Sequence, residues 1–408
     1  MVEWTSGSHV NYRVALHNLT SILEAYIQSS ILQPQSTMLL QTFRRCRAIP
    51  LPKPLPKGCR NHSRETLPSS PIRVLRSVES VRRWRNPLTE THRTVGLVPT
   101  MGALHRGHLA LIRAAARENH HVVVSIYVNP AQFGRAEDLD SYPVTWDADA
   151  KTLALLDREL AGEGENLGRV TAVFAPTTSD MYPGGFPGQD VDSKGSFVTI
   201  TPVGEVLEGK SRPTFFRGVA TVCMKLFNIV QPTRVYFGQK DVQQTVVIRR
   251  MVRDFMLPTD VVVCPTERDP EDGLALSSRN VYLGPRRRQV AASLYQALSA
   301  AETMYRSAGS LDRTTILGTA NHVINGALLV QEDLTSRKRA LFEVDYLSLA
   351  DPDTMTEIDE VDPDRGAVLS GAIKMLPIEK ANEGEDLGLG GGPPVRLIDN
   401  IILKPKST

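Results

Sequence analysis

Residues Gly96–Arg113 read GLVPTMGALHRGHLALIR, and the architecture follows from them. The apolar run Val95–Val98 meets Pro99-Thr100-Met101-Gly102; two histidines then flank a glycine in His105-Arg106-Gly107-His108, and an apolar-periodic segment follows. The pattern is strand, tight turn, helix. Leu109, Ile112 and Ala116 lie three or four apart and share one helical face. His105 and His108, also three apart, place both imidazoles on one side of the first helical turn. Unpaired backbone N–H groups and the positive end of the helix dipole point the same way, which suits an anion such as phosphate. Paired histidines also serve as metal ligands or as satisfied polar surface, but zinc needs further ligands and no nearby Cys/His pattern supplies them. The position after a strand and a glycine turn favours the phosphate, because α/β proteins hold ligands at strand C-terminal ends.

Further segments repeat this grammar. His121–Val128 is an apolar, β-branched run expected to be a parallel strand buried on both faces. It ends in Asn129-Pro130-Ala131-Gln132, where amides can read polar groups of a small ligand; turn formation explains Asn129 equally well and Gln132 less well. A helix is expected over Trp146–Leu160, strands over Arg169–Ala175 and Phe197–Thr201, and a mobile basic loop over Leu207–Pro213. An apolar helix Val219–Val230 leads to the strand Arg234–Phe237, which ends in Gly238-Gln239-Lys240-Asp241. Lys240 and Asp241 stand where a phosphate-binding lysine belongs, or form a solvated turn. The helix Gln243–Phe255 and the strand Val261–Cys264 precede Leu276-Ser277-Ser278-Arg279, whose hydroxyls and guanidinium can stabilise charge on a leaving group. Pro285-Arg286-Arg287-Arg288 reads as a solvated helix start. The alternation of strand and helix predicts an α/β fold with a doubly wound parallel sheet.

The remainder sets limits. At 408 residues, with 41% apolar and 23% charged residues, the chain is long enough for two or three domains with ordinary cores. A net charge of +2 gives no global case for nucleic-acid binding. Four cysteines without CxxC spacing argue against a disulfide framework, and no apolar run reaches the roughly 18 residues of a membrane helix. Residues 1–70 form an expected disordered basic leader, with Arg44, Arg45, Arg47, Lys53, Lys57, Arg60 and Arg64 clustered ahead of Glu65. Such a leader resembles an organellar presequence if translation starts at Met38, and is otherwise a basic tail. The corresponding expectations are a cytoplasmic protein, or a mitochondrial one. Residues 71–283 are expected to be the catalytic domain and 284–408 a smaller α+β lid, with helices Arg286–Ala308 and Asp312–Leu329, strands Phe342–Leu349, Ala367–Ile373 and Val395–Leu403, and a disordered insertion at 379–394.

Taken together, PTMGALHRGH, YVNPAQFG, LEGKSRPTFFRGVATV, YFGQKDVQQ and GLALSSRNVYL resemble the pantothenate synthetase (pantoate-beta-alanine ligase) family, from about Pro71 to the C-terminal RLIDNIIL. The resemblance implies a Rossmann-like HxGH nucleotidyltransferase fold and a ligase that uses ATP and Mg2+ to join pantoate to beta-alanine through pantoyl adenylate. It further implies that His105 and His108 hold the ATP phosphates at the reacting centre, and that Lys240, Ser277, Ser278 and Arg279 clamp the β- and γ-phosphates. Pro99, Met101 and Leu276 would line the pocket, Gly238 and Asp241 would contact adenosine, and Gln132 and Gln244, with Asn129 and Met101 beside them, would hold pantoate. Asp149 is placed near the Mg2+ by the family pattern. A homodimer through the apolar helix after Phe216 or its neighbours is also implied. Arg106, Leu276, Glu208 and Lys210 depart from the family's usual residues, and the leader and insertion suggest a eukaryotic, fungal-type version. Rival readings are another HxGH enzyme, such as an aminoacyl-tRNA synthetase or a cofactor adenylyltransferase, and a catalytically dead binding protein on the same fold. The chain has no room for an anticodon-binding domain, and both histidines and Lys240 are retained.

Overall fold

The computed structural model describes residues 66–405 except 136 and 165; almost all of the basic leader lies outside the described residues. Six strands, β1 (Arg73–Leu75), β2 (Val95–Thr100), β3 (His121–Ile126), β4 (Arg169–Phe174), β5 (Arg234–Gly238) and β6 (Asp260–Cys264), form one sheet in the order β1-β4-β3-β2-β5-β6. All five pairings are parallel. The helices between them are α1 (Val78–Glu90), α2 (Arg106–Glu118), α3 (Trp146–Glu163), α4 (Phe215–Val230) and α5 (Val242–Asp254).

Period-two alternation explains why both sheet faces are covered. Leu97, Val123, Phe174, Val235 and Phe237 pack on one face with Val81, Trp84 and the apolar sides of α4 and α5. Val98, Val122, Val124, Val173 and Tyr236 pack on the other with Ile112 and Ala116 of α2 and Leu153 and Leu156 of α3. The chain runs from β2 outward through β3 and β4, then returns to place β5 on the other side of β2. The order therefore reverses between β2 and β5, and the crevice at their C-terminal ends is where an open parallel sheet binds ligands.

The second sheet is antiparallel, with β7 (Phe342–Ala350), β8 (Ala367–Met375) and β9 (Val395–Leu403) in sequence order. Helices α6 (Pro285–Ala291), α7 (Ser293–Arg306) and α8 (Arg313–Asp333) share its main core, built on Leu294, Leu298, Ile316, Leu369 and Ile373. Val368, with Ile402 packed beside it, joins instead the core beneath the parallel sheet. The small sheet is thus packed on both sides.

Several expectations change. Phe197–Thr201 is not a strand; the Val198 amide donates to Thr221 Oγ1 at 2.9 Å on α4 rather than to a neighbouring strand. The helix expected over Arg286–Ala308 is interrupted at Ala292. Arg287 is not solvated: it is 1% exposed and donates to the carbonyls of Tyr282, Leu376 and Pro393. Residues 379–394 are ordered, because charge partners hold them: Glu379 pairs with Arg339, Glu385 with Arg286, and the chain returns over Arg287 at Pro393. Phe216, Val219, Val222, Leu226 and Phe227 of α4 are buried in the chain's own core.

Candidate active site

The turn after β2 is fixed by its own backbone. Thr100 Oγ1 donates to Ser125 O at 2.8 Å and accepts the Gly102 amide at 3.1 Å. Gly102 has φ 86° and Ala103 φ 49°, so the chain turns through two left-handed residues; a side chain at Gly102 would be strained and would meet Asp149 Oδ2 at 3.1 Å. Buried Asp149 accepts the amides of Ala103 at 3.0 Å and Leu104 at 2.8 Å, and the Thr145 hydroxyl at 3.1 Å. Both oxygens of Asp149, which the family pattern places near the Mg2+, thus hold the turn.

His105 is the N-cap of α2 and His108 its third residue, forming a reciprocal capping box with ring centroids 4.1 Å apart. His105 Nδ1 accepts the Gly107 amide at 3.2 Å, and His108 Nδ1 accepts the His105 amide at 3.4 Å. Backbone amides can only donate, so both Nδ1 atoms are unprotonated and Nε2 carries the hydrogen in the neutral rings. Burial, then the charge of Lys240, lowers His105 to about 4; burial, then the neighbouring His105 and Lys240, lowers His108 to about 3. At neutral pH the pair consists of two uncharged N–H donors.

Across the crevice, Gly238-Gln239-Lys240-Asp241 follows β5, with Lys240 Nζ 3.7 Å from Asp241 Oδ1. Ser277 caps the turn Ser278–Tyr282 by accepting the Arg279 amide at 3.3 Å, and Ser278 Oγ donates to Ala103 O at 3.2 Å, which ties this loop to the histidine turn. Arg279 makes a bidentate pair with Asp138 at 2.8 and 2.9 Å. Burial opposes the Arg279 charge, but the hydrogen bonds and charge of Asp138 outweigh it and raise its pKa.

At the end of β3 the orientation of two amides is settled by their neighbours. Asn129 Nδ2 donates to Gly218 O at 3.2 Å and to Gln132 Oε1 at 3.1 Å, while Asn129 Oδ1 accepts the Tyr182 hydroxyl at 2.7 Å. A carbonyl cannot donate, so the Asn129 nitrogen is identified; Gln132 then turns its oxygen inward and keeps its N–H groups for the cleft. Gly218 permits this contact, since a Cβ there would meet Ala131 O at 2.2 Å.

One cavity of about 230 Å³ is lined by Pro99, Met101, His105, His108, Asn129, Gln132, Gly238, Lys240, Asp241, Gln244, Leu276, Ser277, Ser278 and Arg279. Every residue expected to meet ATP or pantoate lines it. A second cavity of about 470 Å³ shares Arg212, Lys240 and Arg279 and extends toward β9. Sequence reasoning missed Arg212, whose expected mobile loop contains the helical turn Glu208–Ser211. Arg212 donates to Glu137 Oε1 at 2.9 Å, Glu208 Oε1 at 2.9 Å and Gln132 O at 3.2 Å. Buried Glu208 also receives Arg396 of β9 at 2.9 Å. Only the RPTFFRG string hinted at Arg212; its partners lie up to 80 residues away.

The sequence model of the family described as pantoate-beta-alanine ligase matches residues 73–402. The pantothenate synthetase of Roseiflexus castenholzii is 45% identical over 330 residues, covering 81% of this chain and 100% of that protein. The pantoate-beta-alanine ligase of Saccharomyces cerevisiae is 40% identical over 341 residues, 81% of this chain and 100% of the relative. Among solved structures, pantothenate synthetase from Thermus thermophilus superposes with a TM-score of 0.62 at 37% identity, over 82% of this chain and 100% of the other. The pantoate-beta-alanine ligase of Francisella tularensis, complexed with beta-gamma ATP and beta-alanine, gives 0.57 at 30% identity, over 81% and 97%.

Proposed function

The chain belongs to the pantoate-beta-alanine ligase family, and from that premise we propose how its residues divide the work of joining pantoate to beta-alanine at the expense of ATP. A carboxylate is a poor acceptor for an amine. The pantoate carboxylate therefore attacks the α-phosphorus, the bond to the β-phosphate breaks, and pyrophosphate leaves with the electron pair. The amine of beta-alanine then attacks the acyl carbon of pantoyl adenylate, the acyl–oxygen bond breaks, and AMP leaves while the amine gives up a proton.

The first step brings two anions together, so its barrier falls with donors already placed where charge develops. His105 and His108 supply neutral Nε2–H donors to the phosphates. Lys240, Ser277, Ser278 and Arg279 hold the departing pyrophosphate, with Arg279 exchanging Asp138 for phosphate oxygens. Gln132 donates to pantoate from an amide fixed by Asn129 and Tyr182, with Gln244 beside it. Gly238, Asp241, Pro99, Met101 and Leu276 shape the nucleotide side. Among the described residues no cluster of three or more His, Cys, Asp or Glu side chains suits a metal ion. Mg2+ would enter on the ATP phosphates, as is common for this ion. The homodimer implied by the family belongs to the same proposal, and light scattering at twice the chain mass would support it.

The carrying observation is the convergence of histidine turn, lysine turn, Ser-Ser-Arg loop and amide pair on one cleft at the point where strand order reverses. Pyrophosphate release from ATP tests it: release should require pantoate, and AMP release should require beta-alanine as well. Pantoate-independent release would overturn this division of steps.

A further inference from the structure

We propose that Asp399 and Asn400 of β9 are positioning residues for the first half-reaction, holding in register the two turns that carry the triphosphate-binding side chains. The proposal rests on the reading that Lys240 and Ser277–Arg279 meet the nucleotide phosphates. Its consequence is that the small sheet serves as a jig for the phosphate site.

Asn400 is 1% exposed. Its Nδ2 donates to Gln239 O at 2.9 Å and Lys240 O at 2.8 Å, and its Oδ1 accepts Gln239 Nε2 at 3.2 Å. The peptide groups on both sides of Lys240 are thereby tied to a strand that belongs to another sheet. A lysine on a single turn of backbone has little to fix its direction of departure, and here a side chain from 160 residues away does so.

Asp399 does the same for the second turn. Its carboxylate takes both Arg268 Nη atoms, at 2.6 and 2.8 Å, and is itself locked by the Asn400 amide at 2.8 Å. Arg268 also donates to Gly273 O at 3.2 Å and lies over the Tyr295 ring at 3.8 Å. Arg268 bridges Ala275, and the Leu276 amide donates to Glu267 O at 2.9 Å. The chain entering Leu276-Ser277-Ser278-Arg279 is thus held by one ion pair, and Ser278 carries that constraint on to Ala103 before the histidines. Buried polar groups of this kind are retained at a desolvation penalty and specify one geometry when every member is satisfied. Apolar side chains would suffice if the contact served packing alone.

The two half-reactions separate positioning from general support. The second needs no β- or γ-phosphate, so it should not depend on the Lys240 ammonium or on the Ser277, Ser278 and Arg279 side chains. In Asn400→Asp, which loses the two donations, pantoate-dependent pyrophosphate release should fall on the order of a hundredfold, as expected for misplacement by about 1 Å. The KM for ATP should rise, and affinity for ATP relative to AMP should drop. AMP release from supplied pantoyl adenylate plus beta-alanine should stay within about twofold, since the acyl-transfer step gains nothing from the pyrophosphate clamp. Asp399→Asn should show the same split, and serves if Asn400→Asp does not fold. Equal losses in both half-reactions, or an unchanged first one, would overturn the proposal. Failure of the functional reading itself would look different: the wild-type chain would release no pyrophosphate on adding pantoate.

Discussion

On the wall of the cleft built by β2 and α2, the groups facing the ligand carry no charge. His105 and His108 are held neutral by burial and by Lys240, and their Nδ1 atoms are occupied by backbone amides. The opposite wall holds cations that already have partners: Arg279 is paired with Asp138, Arg212 with Glu137 and Glu208, and Lys240 stands 3.7 Å from Asp241. The difference follows from desolvation. A neutral donor can wait in a half-enclosed cleft at little penalty, whereas a cation there needs a counter-charge while the cleft is empty. On the proposed reading, one wall is ready before ATP arrives and the other exchanges a carboxylate for a phosphate.

The sharpest way to break this contrast is on the neutral wall. His105→Ala or His108→Ala removes a preplaced donor and should slow pantoate-dependent pyrophosphate release by about a hundred- to a thousandfold; a rate near wild type would refute the assigned role. On the charged wall, Asp138→Asn leaves Arg279 without its carboxylate. The empty protein should lose about 1 kcal/mol of stability, while ATP should raise the melting temperature more than it does in wild type. An unaltered ATP-induced shift would show that Asp138 does not compete with phosphate. Gln132→Ala should raise the KM for pantoate about tenfold, the loss of one or two hydrogen bonds, and leave that for ATP in place; parallel changes in both would remove Gln132 from the pantoate side.

A separate effect is on pH. The folded histidines titrate at about 4 and about 3, below the ordinary 6.5, so between those values the unfolded chain binds more protons. Stability should therefore fall as pH drops from 6.5 toward 4 and level off below about 3. Thermal melting across that range should show a shallower slope in His108→Gln than in wild type, and identical slopes would contradict the assigned protonation.

The parallel strands and the histidine turn were legible because their signals are local. Continuous apolar, β-branched runs, a glycine turn and paired histidines lie within a few residues of one another, and the resemblance rests on equally contiguous strings. What escaped was long-range. The string Arg286-Arg287-Arg288 reads as solvated, yet Arg287 is buried because carbonyls from three separate segments converge on it. The Gly- and Glu-rich composition of 379–394 suggests disorder, but Glu379 and Glu385 pair with Arg339 and Arg286, some 40 and 99 residues away in sequence. Asp149 stands out in the sequence only through the family pattern, and its hold on the amides of Ala103 and Leu104 depends on the two left-handed residues of a turn far along the chain. Glu208 looked like an anomaly in a loop and proved to join α4's approach to β9 through Arg212 and Arg396.

The most direct test of the central claim follows the oxygen. Pantoate labelled with 18O in its carboxylate, turned over with ATP and beta-alanine, should leave one 18O in the phosphate of AMP for each pantothenate made, because the acyl–oxygen bond breaks in the second step. Label appearing in inorganic phosphate alongside ADP would mean attack at the γ-phosphate, and would contradict the adenylate route for which the cleft is proposed to be built.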